Sequence, residues 1–253
     1  MYKFKSSIVA LALTGIALAA AAGPVLTADV KFDNPIFTGS GYDSLTIKFL
    51  QGGNVKTENV AAGRFQGKVT ATNVVDTGIF VDGLDNLFMY CYDLYESIHP
   101  GQTVRYTIDF TGATGRTLNF LGAVNTVMSG TGSTYSPYAW LHPTSASQGA
   151  AIQLGIWESL YDTGAWNLDD GSFQAWNLDT GTKNAWNSFT SAIDGSDSLD
   201  IRYTMVLKAI GAQDMITGDP PAQVPEPGSL ALVGLALAGL AGSRRLGGKG
   251  RRD

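Results

Sequence analysis

The feature that most constrains the fold is a stretch of helical spacing at residues 147–162, which carries one amide side chain among apolar ones. Residues three and four positions apart are neighbours on a helix, so one face holds Gln153, Ile156, Trp157 and Leu160. We expect this helix to be amphipathic, because its other side mostly carries Glu158, Ser159 and Asp162. A buried amide without hydrogen-bond partners costs about 1–3 kcal/mol. The Gln153 amide must therefore either find hydrogen-bond partners in the folded chain or be converted by a chemical reaction.

The chain contains a single cysteine, Cys91, within the apolar run 87–92. One cysteine cannot form a disulfide within its own chain, so in an exported protein its thiol is paired between chains, free or chemically used. The run lacks clean alternation and predicts a strand covered on both faces, which shelters Cys91 from water. The lone thiol and the amide of Gln153 could be the two halves of an internal thioester. The alternative is an inert buried cysteine, because free Cys packs as a small hydrophobe.

Two motifs carry a resemblance to a known family: Tyr90-Cys91-Tyr92-Asp93 and Ile152-Gln153-Leu154-Gly155-Ile156-Trp157. They resemble the aromatic-Cys strand and the hydrophobic-Gln-x-x-hydrophobic-Trp helix of bacterial thioester domains, over roughly residues 85–165. The resemblance implies that the Cys91 thiol and the Gln153 side chain join with loss of ammonia. It also implies that the bond later acylates a target surface bearing amines or hydroxyls, such as a protein lysine or a polysaccharide.

The same resemblance implies what surrounds the bond. The side chains expected around it are Tyr90, Tyr92, Ile152, Ile156 and Trp157. The aromatic ones would exclude water, and Asp93 or His142 would assist proton transfer. Gly155 departs from the family's pattern, which usually has a slightly larger small residue at that position.

Residues 1–22 have the three parts of a secretory signal peptide. Lys3 and Lys5 form the basic region, residues 8–18 form the apolar stretch, and three alanines at 20–22 offer a cleavage site. Cleavage after Ala28 is the second choice. We therefore expect an exported protein.

The carboxyl-terminal segment 220–253 resembles the PEP-CTERM sorting tail of Gram-negative bacteria. Its motif at 224–228 contains Pro225, Glu226 and Pro227, and is followed by an apolar helix at 229–242 and a basic end at 243–253. The resemblance implies that an exosortase-type protease cuts near the triplet and passes the body to the cell envelope, the extracellular surface or a biofilm matrix. The apolar run is about 20 Å long as a helix, short for a bilayer core of about 30 Å, so we expect transient membrane insertion. A permanent single-span transmembrane helix is the alternative.

The charge of the body argues against nucleic acid as a partner. Of the 17 basic and 22 acidic residues, 7 basic and 2 acidic ones lie in 1–22 and 224–253, so the remaining body is near −10. A surface of that sign repels phosphates.

The body at 29–219 shows strand patterns on both sides of a helical region. Apolar and polar residues alternate at 44–50 and 103–110, and a further strand is expected at 199–207, with residues 213–216 after it. Between them, 117–128 has helical spacing, Pro137 suits a helix start over 136–141, and Ser145 or Ser147 can cap the Gln153 helix. These patterns predict an α+β fold, a β-rich sandwich or barrel-like domain with an inserted helical subdomain.

Three Ala-Trp-Asn triplets recur every ten residues at 165–167, 175–177 and 185–187. One interpretation is a set of aromatic platforms for sugar rings, since flat aromatic faces suit carbohydrate stacking. The favoured interpretation is a local duplication that forms two turns and a short helix, with its tryptophans docked on the core. Asp169, Asp170 and Asp179 could hold calcium, but no EF-hand-like loop is present.

Three functional hypotheses follow. The first is covalent attachment through a Cys91–Gln153 thioester. The second is a non-covalent matrix or scaffold protein in which both residues are structural. The third is a Cys–His hydrolase using Cys91 with His99 or His142, but no nucleophile elbow surrounds the cysteine. We expect a protein that is not an enzyme, with no catalytic residue, cofactor or metal.

Overall fold

The computed structural model describes residues 25–220, so the expected signal peptide and nearly all of the sorting tail lie outside the described residues. The described strands are β1 (Thr27–Phe32), β2 (Tyr42–Gln51), β3 (Asn54–Gly63), β4 (Phe65–Thr72), β5 (Leu87–Cys91), β6 (Thr103–Asp109), β7 (Gln174–Trp176), β8 (Thr204–Lys208) and β9 (Met215–Gly218). The described helices are α1 (Gly115–Ser129), α2 (Ala146–Tyr161) and α3 (Thr180–Ser191).

Six strands close into a barrel in the order β1-β4-β5-β9-β8-β6, with every neighbouring pair antiparallel. The alternation in the sequence determines which side chains point inward. On β6, Val104, Tyr106 and Ile108 are buried, while the intervening Thr103, Arg105 and Thr107 are exposed. The expected barrel and the mixed α and β composition are therefore confirmed.

A second sheet has the order β3-β2-β7. Its long hairpin turns through Gly52 and Gly53, which both have positive φ, between the paired residues Gln51 and Asn54. A two-residue hairpin loop of this kind needs left-handed backbone at both positions, which glycine adopts without strain. The hairpin provides one wall against which α2 packs.

The helix α2 lies at the centre of the molecule. Ser145, one of the two predicted caps, accepts a hydrogen bond from the main-chain N–H of Gln148 at its start. The expected amphipathic character is wrong, because every residue from Gly149 to Ser159 is buried, Glu158 included. The helix is covered by α1, α3, both long strands of the second sheet and β5, so it has no solvent face.

The sandwich and the inserted helical subdomain are not confirmed, because the helices share one hydrophobic core with both sheets. The helix expected at 117–128 is present as α1, whereas 136–141 forms only a 3₁₀ turn at Ala139–Leu141. The strand expected at 199–207 starts later, at Thr204. Asp200 accepts a hydrogen bond from the N–H of Arg202, and this local turn competes with an extended backbone.

Candidate functional site

Cys91 is the last residue of β5 and lies beyond the point where β4 stops pairing with β5. Met89 pairs with Phe65 of β4, so antiparallel register would put Gly63 opposite Cys91. Gly63 belongs instead to β3, where it pairs with Tyr42. Because Tyr92 directs its N–H to Asp214 on the other side, the main-chain groups of Cys91 face the missing neighbour.

The side chain of Gln153 occupies that place. Its Oε1 accepts a hydrogen bond from the Cys91 N–H at 2.8 Å, and its Nε2 donates to the Cys91 carbonyl oxygen at 2.9 Å. The carboxamide thus substitutes for the peptide group of an absent strand. Gln153 is 0% exposed, so the amide that the sequence leaves without an obvious partner is satisfied by the residue holding the lone thiol.

The thiol of Cys91 is sheltered but lies at the wall of a cleft. Cys91 is 2% exposed and lines a cleft of about 450 Å³ together with Trp157, Gln213, Leu94 and Ile98. Burial, assisted by the charge of Asp93, raises the pKa of the thiol well above its ordinary value. The sulfur is therefore protonated at neutral pH.

The five residues expected around Cys91 divide into two groups. Trp157 lines the same cleft, and Ile152 and Ile156 are fully buried beside it on α2. Tyr90 and Tyr92 alternate with Cys91 along the chain, which directs them to the opposite face of the strand. There the Tyr90 hydroxyl donates to the carbonyl oxygen of Trp140 at 3.1 Å, and the Tyr92 hydroxyl accepts from the Thr114 N–H at 2.8 Å.

The two candidates for proton transfer differ in their surroundings. Asp93 accepts hydrogen bonds from the N–H groups of Asp214, at 2.6 Å, and Tyr95, at 3.2 Å. Burial outweighs these bonds and raises the pKa of Asp93 to about 6. His142 instead lies 3.5 Å from Asp82 and packs edge-on against Phe88.

Gln213 is the residue of this site that sequence reasoning missed. Its Nε2 donates to the Asp93 carbonyl oxygen at 2.8 Å, and it lines the cleft with Cys91. The pairing of β5 with β9 brings it there across 120 residues of sequence, a separation that no local pattern encodes.

The described residues contain no group of three or more His, Cys, Asp or Glu side chains that could hold a metal ion. Asp169, Asp170 and Asp179 therefore do not form such a group. Between residues 25 and 220 no helix combines the length and apolarity needed to cross a bilayer, and the expected apolar helix at 229–242 falls outside that range.

Comparison with known families finds one match. Residues 223–245 match the PEP-CTERM protein-sorting motif, and this range includes Pro225, Glu226 and Pro227. The motif prediction is confirmed: the protein is exported, is sorted by an exosortase and is tied to the cell envelope, as is typical of Gram-negative bacteria. No curated protein and no solved structure is similar enough to this chain to count as a match.

Proposed function

We propose that Cys91 and Gln153 form an internal thioester through which this exported protein attaches covalently to a partner surface. The observation that carries the proposal is the double hydrogen bond between the Gln153 carboxamide and the main chain of Cys91. It holds the amide carbon beside the residue that bears the thiol, across 62 residues of sequence. Such positioning gives an intramolecular reaction a high effective molarity.

Bond formation requires the carboxamide to turn from the Cys91 main chain towards the sulfur. The sulfur then bonds to Cδ of Gln153, the Cδ–Nε2 bond breaks, and ammonia leaves with the thiol proton. A protonated thiol is a weak nucleophile, so the step needs a base. Asp93 is our candidate for this role, because a carboxyl with a pKa of about 6 is mostly ionised at neutral pH and can take up the thiol proton.

The cleft beside Cys91 offers a route for the partner's nucleophile. An amine or hydroxyl entering past Leu94 and Ile98 attacks the acyl carbon of Gln153 and forms an amide or ester. The thiolate of Cys91 leaves and takes up the proton that the nucleophile loses. Because each molecule reacts once, the protein is not an enzyme under this proposal. The envelope supplies protein lysines and polysaccharide hydroxyls as targets.

Methylamine tests the proposal. At mildly alkaline pH, methylamine should release one titratable thiol from the native parent and become attached at residue 153, as peptide mass spectrometry would show. Gln153→Ala should incorporate no methylamine. Gln213→Ala is the matched control, because Gln213 is the glutamine that lines the Cys91 cleft, and methylamine should still be incorporated at residue 153 of this variant. Incorporation lost in Gln213→Ala but kept in Gln153→Ala would refute the assignment.

A specific observation favours a second candidate, a non-covalent scaffold or biofilm-matrix protein. Both hydrogen bonds already satisfy the Gln153 amide, so the residue closes the gap in the sheet without any chemistry. Under this alternative the thiol of Cys91 is free but buried. Methylamine then changes nothing, and the thiol reacts only after unfolding.

The hydrolase hypothesis receives less support. A catalytic thiolate needs a depressed pKa, whereas burial raises that of Cys91. Within residues 25–220 neither histidine hydrogen-bonds to Cys91, and His142 lies against Asp82 instead. Rapid labelling of Cys91 in the native protein by iodoacetamide would instead support the hydrolase hypothesis.

A further inference from the structure

The three Ala-Trp-Asn triplets converge on one cleft of about 430 Å³. The first triplet lies in the loop after α2, the second spans the end of β7 and the third lies on α3. All three tryptophans and all three asparagines line the cleft: Trp166, Trp176, Trp186, Asn167, Asn177 and Asn187. The cleft shares no lining residue with that of Cys91, so it is a separate feature of the molecule.

The tryptophans have different roles in this cleft. Trp166 stacks on Phe120 with ring centroids 5.3 Å apart, and Trp186 is buried with its centroid 6.3 Å from the same ring. These two rings therefore fix the cleft to the core. Trp176 is 38% exposed and has no aromatic partner among the described residues. It supplies a large apolar surface that the fold leaves uncovered.

The asparagines supply polar groups around that surface. Asn177 takes a left-handed backbone with φ of 63°, and its Nδ2 donates to Thr46 at 3.1 Å, which fixes its position. The exposed Asn187 makes no side-chain hydrogen bond within the described part of the chain, so its carboxamide can both donate and accept. The cleft also carries Asp169 and Lys183, whose opposite charges favour no charged ligand.

We propose that this cleft binds one or two sugar rings of a neutral polysaccharide. The C–H face of a pyranose stacks on an aromatic ring such as Trp176, while its hydroxyls pair with carboxamides that both donate and accept. The volume lies within the range of about 300–1,000 Å³ that is usual for small-ligand sites. An exported envelope protein meets such polysaccharides at its destination. This site does not depend on the thioester.

Isothermal titration calorimetry on the purified protein tests this proposal. Four hexasaccharides serve as ligands, built from glucose, mannose, galactose or N-acetylglucosamine. At least one should bind with an affinity that hardly depends on salt. Trp176→Ala should weaken binding on the order of tenfold, the upper range for one aromatic stacking contact. Asn187→Ala, at an exposed helical position that the fold does not need, should also weaken it severalfold.

Two controls keep the outcome specific. Tyr135→Ala removes a comparably exposed aromatic ring outside the cleft and should leave binding unchanged. Cys91→Ala should bind the hexasaccharide like the parent, so that a failed thioester and a failed sugar site are distinguishable. The proposal is overturned if no neutral hexasaccharide binds, or if Trp176→Ala and Asn187→Ala both bind like the parent.

Discussion

The contribution of Glu158 to the free energy of unfolding depends on pH, and its magnitude can be derived from the structure. Its side chain is almost fully buried in α2, accepts one hydrogen bond from the Asn167 N–H at 3.3 Å, and lies 3.8 Å from the Arg116 guanidinium. Burial outweighs both attractions and raises the pKa of Glu158 from 4.5 to about 7. The folded protein thus binds this proton more tightly than the unfolded chain does.

The sign and magnitude of the Glu158 contribution to stability follow from this difference in pKa between the folded and unfolded states. Below about pH 4.5 the carboxyl is protonated in both states and its stabilising contribution is fully present. The contribution is lost as pH rises through the folded-state pKa of about 7. The difference between 4.5 and about 7, at about 1.4 kcal/mol for each pH unit, amounts to about 3 kcal/mol.

Glu158→Gln removes the titration while keeping the shape and the acceptor oxygen. Urea unfolding should show the variant more stable than the parent by up to about 3 kcal/mol at about pH 8, and nearly equal to it at about pH 4.5. Glu58→Gln, at an exposed position, should follow the parent throughout. A parent more stable than the Glu158 variant at about pH 8 would mean that the ion pair with Arg116 dominates, and would refute the reasoning.

Two further predictions concern α2. Gly155→Ala should destabilise the protein by about 1–3 kcal/mol in thermal unfolding, because a Cβ there would lie 1.9 Å from the Phe120 ring. Gly149→Ala on the same helix, where the nearest atom is 3.4 Å away, should instead be neutral or slightly stabilising, and equal losses in both would argue against the packing explanation. Ser145→Ala should cost about 1 kcal/mol in chemical unfolding through loss of the helix cap, while Ser145→Asp should retain most of the stability.

The proximity of Cys91 and Gln153 was predictable from the sequence because each residue is an anomaly in its own segment, whereas the thioester between them stays a prediction. A lone cysteine in an apolar strand and an amide in an apolar helix both call for an explanation, and the structure brings them together. Elements with strong local signals, such as α1, β2, β6 and the Ser145 cap, were equally predictable.

What the sequence could not predict depends on long-range packing. The charged Glu158 indicated a solvent-facing side of α2, yet α1, α3 and the sheets enclose the helix completely. Gln213 reaches the Cys91 cleft only through strand pairing. Ten-residue periodicity identified the Ala-Trp-Asn triplets, but only the tertiary fold determines that their side chains share one cleft.

The intact mass of the freshly purified protein at neutral pH tests the thioester most directly. With the thioester formed, the parent should be lighter than its sequence by one ammonia, and the masses of Cys91→Ala and Gln153→Ala should match their sequences. A parent whose mass equals that of its sequence, with a Cys91 thiol that titrates on unfolding, would contradict the thioester and favour the scaffold.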